Sequence, residues 1–168
     1  MMIEVDLNRL LHCVRKDIIP QFVGMIGTNQ YLCNSIFKMS KHDIKSREDI
    51  SKLIHTFYAE VREDDLLGPI FNKMINDWDK HLDLLVDFWE TNLFFVKKYS
   101  GNPLEAHVRA DKIFNHTINE FHFGTWLNLW FKNIDALFEG ENAQLAKNRA
   151  RNMSTFMNME IFKSRPKN

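Results

Sequence analysis

His107 stands on a short predicted helix that opens with Gly101, Asn102 and Pro103, three residues after Leu104, so the two side chains share one face. That face is expected to turn inward, because Leu104 has nowhere else to bury. A neutral imidazole mounted on a helix can offer one ring nitrogen to a metal while the other donates to a carbonyl of the preceding turn. His81 lies three residues after Trp78 and four before Leu85, on the apolar stripe of the preceding helix. Tyr58 flanks an earlier stripe, four residues after Ile54, and its hydroxyl needs a partner once buried. Trp126 brings an indole donor to the inward face of a long helix, and Phe71 follows the Gly68-Pro69-Ile70 turn. Two imidazoles facing each other across apolar helices, with polar-tipped aromatics beside them, are what holding an iron porphyrin and a small ligand requires.

Taken singly, each residue has a plainer explanation. A lone histidine on an apolar face is more often a satisfied core or surface residue, since histidine burial is only intermediate. His81 can donate to a bound ligand, gate a pocket, fill a sixth coordination position, or close a hydrogen bond at the edge of the core. Tyr58 can reach a carbonyl, Trp126 can be one large core residue beside Trp130, and Phe71 can plug a turn and equally stack on a porphyrin edge. Core packing accounts for most Phe and Leu residues, at roughly 1.5–3 kcal/mol for each side chain fully buried. It does not account for His81, His107, Tyr58 and Trp126 occupying inward positions together.

The elements that must position these residues read as helices. Hydrophobic residues make up 45% and aromatics 12% of the chain, while Gly and Pro number only 6 and 4, and no alternating strand run occurs. Ser46 with Asp49 resembles a capping box, after which Ile50, Leu53, Ile54, Phe57 and Val61 recur on one face. Leu67, Gly68 and Pro69 are expected to stop that helix, and Ile70 and Phe71 to begin a short segment. A further helix is predicted from about Asn76 through Leu93, with Trp78, Leu82, Leu85, Phe88 and Trp89 inward. Asn102 is a natural N-cap with Pro103 at the first helical position. Two longer helices follow, one carrying Phe123, Trp126, Leu127, Trp130, Ile134 and Leu137 with Gly140 marking its end. The last carries Leu145, Ala146, Ala150, Met153, Met157 and Ile161. Short loops imply antiparallel neighbours.

At 168 residues the chain suits one domain. Lys plus Arg and Asp plus Glu both number 22, so nothing builds the basic field that nucleic-acid binding relies on. Cys13 and Cys33 form no CxxC pair, which argues against a thiolate zinc or dithiol redox site. The first apolar stretch follows Glu4 and Asp6 and is broken by Arg15, Lys16 and Pro20, unlike a secretory signal. No segment approaches the roughly 20 apolar residues that span a bilayer, so a cytoplasmic location and no membrane partner are expected. Residues 1–40 read differently from the rest. Leu7, Leu10, Leu11 and Val14 suit one amphipathic helix, interrupted afterwards by Pro20, Gly24 and Gly27. Either this is an N-terminal extension or translation begins later, with Met39 the best internal start.

The order Tyr58, Phe71, His81, Phe88-Trp89, His107, Trp126, in the blocks FYAEVREDDLLGPIF, WDKHLDLLVDFW, GNPLEAH and HFGTWLNLW, resembles the group III truncated haemoglobins over nearly all of Lys41 to Phe162. The glycine pairs of other truncated groups are absent. The resemblance implies an all-α, two-over-two helical sandwich over residues 41–168, with helices packed as two crossing pairs. It implies haem b held by His107 as proximal ligand and a distal pocket lined by Tyr58, His81 and Trp126. The stretch Arg109–Glu120 is longer than in compact members, and His116 within it is a rival proximal candidate ranked below His107. Arg109 and Lys112 are candidates for the haem propionates by charge and position. The expected function is reversible binding of oxygen, nitric oxide or a similar small ligand at ferrous iron, with sulfide and cyanide equally able to fit. The alternative is a haem enzyme for nitric oxide dioxygenation or peroxide detoxification. No GxGxxG fingerprint is present, so that enzyme would need a separate reductase. A haem-free helical interaction domain is the third reading.

Overall fold

The computed structural model describes residues 41–166. The helix expected around Leu7–Val14, the start at Met39 and both cysteines lie outside the described residues. Among the described residues the chain forms six helices and no strand: α1 (Arg47–Glu63), α2 (Gly68–Met74), α3 (Trp78–Phe94), α4 (Pro103–Ile113), α5 (Glu120–Leu137) and α6 (Glu141–Ser164). The all-α class is therefore as the periodicity requires.

Each start has a chemical cause. Ser46 Oγ accepts from the Asp49 amide at 3.3 Å and Asp49 Oδ2 accepts from the Ser46 amide at 3.2 Å, so the expected capping box opens α1. The first helix ends at Glu63, ahead of Pro69, which instead sits in the first turn of α2. Gly68 is required at this corner, because a Cβ there would lie 2.7 Å from the Arg62 carbonyl oxygen. The third helix begins at Trp78, two residues later than the stripe alone suggests, because Asp77 captures the Lys80 amide at 3.1 Å. Asn102 caps α4 through the Glu105 amide at 3.2 Å, with Pro103 in the first turn.

Gly140 was expected to close α5, but Leu137 does so and Gly140 opens α6 at φ +151°. Having no side chain, it cannot cap. Asp43 does this from outside the helix, its carboxylate accepting from the amides of Asn142 and Ala143, both at 2.9 Å. A Cβ on Gly140 would collide with Asp43. Burial raises the Asp43 pKa, but the amides of Asn142, Ala143 and Ile44 outweigh it and leave the carboxyl below its ordinary value.

Helix α1 packs on α3, α5 on α6, and α1 crosses α5, which gives the two-over-two arrangement; α2 leans on α1, and α4 on α6. Phe57, Leu53, Ile54, Trp130 and Ile134 fill the crossing. Two ion-paired clusters lock the outside. Arg47 binds Asp87 at 2.6 Å and Glu90 at 2.5 Å, and Lys98 binds Glu90 at 2.9 Å, joining α1 to α3 and the loop after it. Asp111 of α4, only 1% exposed, receives Arg165 at 2.8 and 3.1 Å. No described helix is long and apolar enough to cross a membrane.

Candidate functional site

Tyr58 is the hub of one aromatic group. It is buried on α1, and its ring lies 5.8 Å from Phe71 of α2, 6.1 Å from Trp78 and 6.2 Å from His81 of α3. Trp78 and His81 also meet edge to face at 6.0 Å, one helical turn apart. Trp126 of α5 joins from the other side by packing on Phe57 at 5.2 Å, and its indole is a hydrogen-bonding neighbour of the Tyr58 hydroxyl. Desolvation drives the Tyr58 pKa far up, tempered by that indole. The phenol therefore keeps its proton across the ordinary pH range. Desolvation also pushes His81 below its ordinary value, so this half-buried imidazole is neutral near pH 7. The structure thus brings together four of the five expected site residues: Tyr58, Phe71, His81 and Trp126.

The fifth, His107, is placed apart on α4. Its Nδ1 lies 2.7 Å from the Pro103 carbonyl oxygen, one turn back, and only a donating N–H fits that contact. The proton is thereby fixed on Nδ1, and the Nε2 lone pair points away from the helix backbone. Desolvation lowers the His107 pKa and the Pro103 carbonyl only partly opposes it, so the ring is held neutral. Yet the side chain is exposed and Leu104 only half-buried, contrary to the expectation of an inward, closed face. The rest of α4 is open as well: Asp111 is its one buried residue, while Val108 is half-buried. Phe123 of α5 lies parallel to His107 at 6.4 Å and 22°, and three residues on along that helix comes Trp126.

The rival, His116, is drawn elsewhere. Its Nδ1 lies 2.8 Å from Asp111 Oδ2, inside the cluster that Arg165 completes. Arg109 and Lys112 are both exposed on α4. Sequence reasoning gave Phe123 no role, since an apolar residue on an apolar stripe carries no signal of type. Two cations were also missed: Arg62 lies over Trp78 at 4.6 Å, and Lys73 over Phe114 at 5.0 Å. Spacing from α1 to α3 or from α2 to α4 could not have announced either.

No family model matches the chain. A curated protein does: the chain is 32% identical over 124 residues to the group 3 truncated hemoglobin ctb of Campylobacter jejuni, covering 71% of this chain and 94% of the relative. The crystal structure of group III truncated hemoglobin from Campylobacter jejuni superposes with a TM-score of 0.66 at 27% identity, over 76% of this chain and 99% of that one.

Proposed function

Since the chain belongs to the group III truncated haemoglobins, we propose that it binds haem b through His107 and takes up oxygen or another diatomic ligand reversibly. The observation that carries this reading is the 2.7 Å bond from His107 Nδ1 to the Pro103 carbonyl. It leaves a neutral imidazole with Nε2 free as a lone-pair donor, on a helix whose apolar flank is left half-open toward α5. That is the lining a flat, apolar, iron-bearing cofactor needs. Ferrous haem supplies the iron to which a diatomic ligand binds. The chain's residues do the rest. Tyr58 and Trp126 offer O–H and N–H donors to a ligand carrying partial negative charge, in surroundings dry enough to strengthen both bonds. His81 stands beside Tyr58 as a neutral imidazole, able to donate to the ligand or to take the sixth coordination position. Phe71 and Trp78 keep water from the donors.

Residues 41–168 are the domain that performs this, and residues 1–40 an extension to it, in a protein we place in the cytoplasm. The test is optical. Purified protein with hemin is expected to show a Soret band that His107→Ala abolishes and His116→Ala leaves in place. Folded wild type that refuses hemin overturns the reading. The buried Tyr58 phenol beside the His81 imidazole also suits a second role, nitric oxide dioxygenation or peroxide reduction supported by a separate reductase. Catalytic turnover of nitric oxide with a reductase present, followed by stopped flow, distinguishes it from reversible binding.

A further inference from the structure

One polar atom in the core is unexplained by fold or pocket. Trp130 is fully buried, and its indole N–H meets no acceptor among the described residues. Buried donors are nearly always paired, so an orphan points to a reason other than packing. Its ring is stacked with two others, Trp89 at 4.5 Å and 22° and Trp126 at 5.5 Å and 11°. Trp126 is the half-buried wall of the candidate pocket. At the other end Phe88 meets the edge of Trp89 at 5.6 Å, and half-buried Tyr99 meets Phe88 at 5.0 Å. An unbroken series of ring contacts therefore runs from the pocket through the core to a phenol near the surface. Phe or Leu would fill the Trp130 position without leaving a donor unpaired. Indoles and phenols are also the side chains that lose one electron most readily after thiols.

We propose that Trp126, Trp130 and Trp89 form a relay that carries one oxidising equivalent from the haem pocket to Tyr99 when the protein meets a hydroperoxide. The inference rests on the haem reading above. Reducing a hydroperoxide to its alcohol and water consumes two electrons and two protons. With ferric haem bound, the cofactor would supply one electron and Trp126 the other, and of the two protons one would be matched by Tyr99 and one drawn from solvent. Trp126 is refilled by Trp130, Trp130 by Trp89, and Trp89 by Tyr99 across Phe88. Tyr99 releases its phenol proton to water as the electron leaves, so the chain's net loss is one hydrogen atom, and a neutral phenoxyl radical is left.

The missing acceptor at Trp130 has a place in this scheme. An indole that has lost an electron is a strong N–H acid, and with nowhere to send its proton it cannot settle as a neutral radical. The positive charge is poorly tolerated in the dry core and moves on. Tyr58, though nearer the pocket, is a poor sink, because it is buried away from the water that would take its proton.

The experiment uses hemin-loaded full chain, checked for its Soret band, mixed with hydrogen peroxide and freeze-quenched for electron paramagnetic resonance. A tyrosyl signal is expected in wild type. Tyr99→Phe should lose it and show a tryptophanyl signal instead, and Trp130→Phe should lose most of it while the Soret band remains. Trp126→Phe, at the half-buried pocket wall, is the second variant should the core substitution fail to fold. A Soret band with a Tyr99 signal undiminished in either folded variant overturns the relay and leaves the haem reading standing. A wild type without a Soret band overturns both.

Discussion

A buried hydroxyl that keeps its proton can donate it to a guest, and Tyr58 is in that position. One net hydrogen bond of about 1 kcal/mol corresponds to roughly fivefold in a rate. Tyr58→Phe is thus expected to speed oxygen release about fivefold or more, read by displacement with carbon monoxide; an unchanged rate removes Tyr58 from the ligand. The histidines make a second prediction. His81, His107 and His122 are all held below their ordinary value, chiefly by desolvation. In the unfolded chain they take up protons near pH 6.5, whereas the folded chain resists until lower pH. Below about 6.5 the unfolded state binds more protons, so stability falls as pH drops through that point and is level above it. Thermal unfolding of haem-free protein against pH should show this, with a shallower slope in His81→Gln. Loss beginning only near pH 4, where carboxylates protonate, would contradict it. Polar tips on apolar stripes made Tyr58, His81 and Trp126 legible in the sequence. Phe123 was illegible because its type matches its stripe.

Among the helices longer than two turns, α4 matters most and buries least. With Asp111 as its one buried side chain, it leans on its cap more than the longer helices do. Asn102→Ala is expected to cost about 1 kcal/mol and to hasten transfer of hemin to an apo-globin acceptor. Unaltered transfer would mean that the mount for His107 does not depend on this cap. Helices whose caps are neighbours in sequence were readable: Ser46 announces α1 and Asn102 announces α4. The start of α6 was not, because its cap, Asp43, is 99 residues from Asn142. Gly140 was accordingly read as a stop. The shift of α3 to Trp78 has the same kind of cause, since periodicity marks a face and the cap chooses the first residue.

At the scale of the molecule, periodicity marked the helices and, α4 apart, their inward faces, but not how the pairs cross. That came from the resemblance in residue order, because ridge-and-groove packing depends on geometry that no spacing encodes. The ion cluster joining α4 to the end of α6 was equally hidden. Burial raises Asp111, but Arg165 and His116 outweigh it and hold the carboxyl below its ordinary value. Removing one partner of a buried pair strands the other, so Arg165→Ala should destabilise by about 3 kcal/mol. The folded-state value is depressed, so this contribution is present above about pH 4 and fades as the solution is acidified through it. Denaturant midpoints of wild type and variant should therefore converge in acid, and parallel curves would refute the assignment. Asp43 has a consequence of its own. It precedes α1 yet grips the first turn of α6, lacing the beginning of the helical region to its final member. A shortened chain that starts beyond this aspartate would retain all six helices and still come undone at the seam.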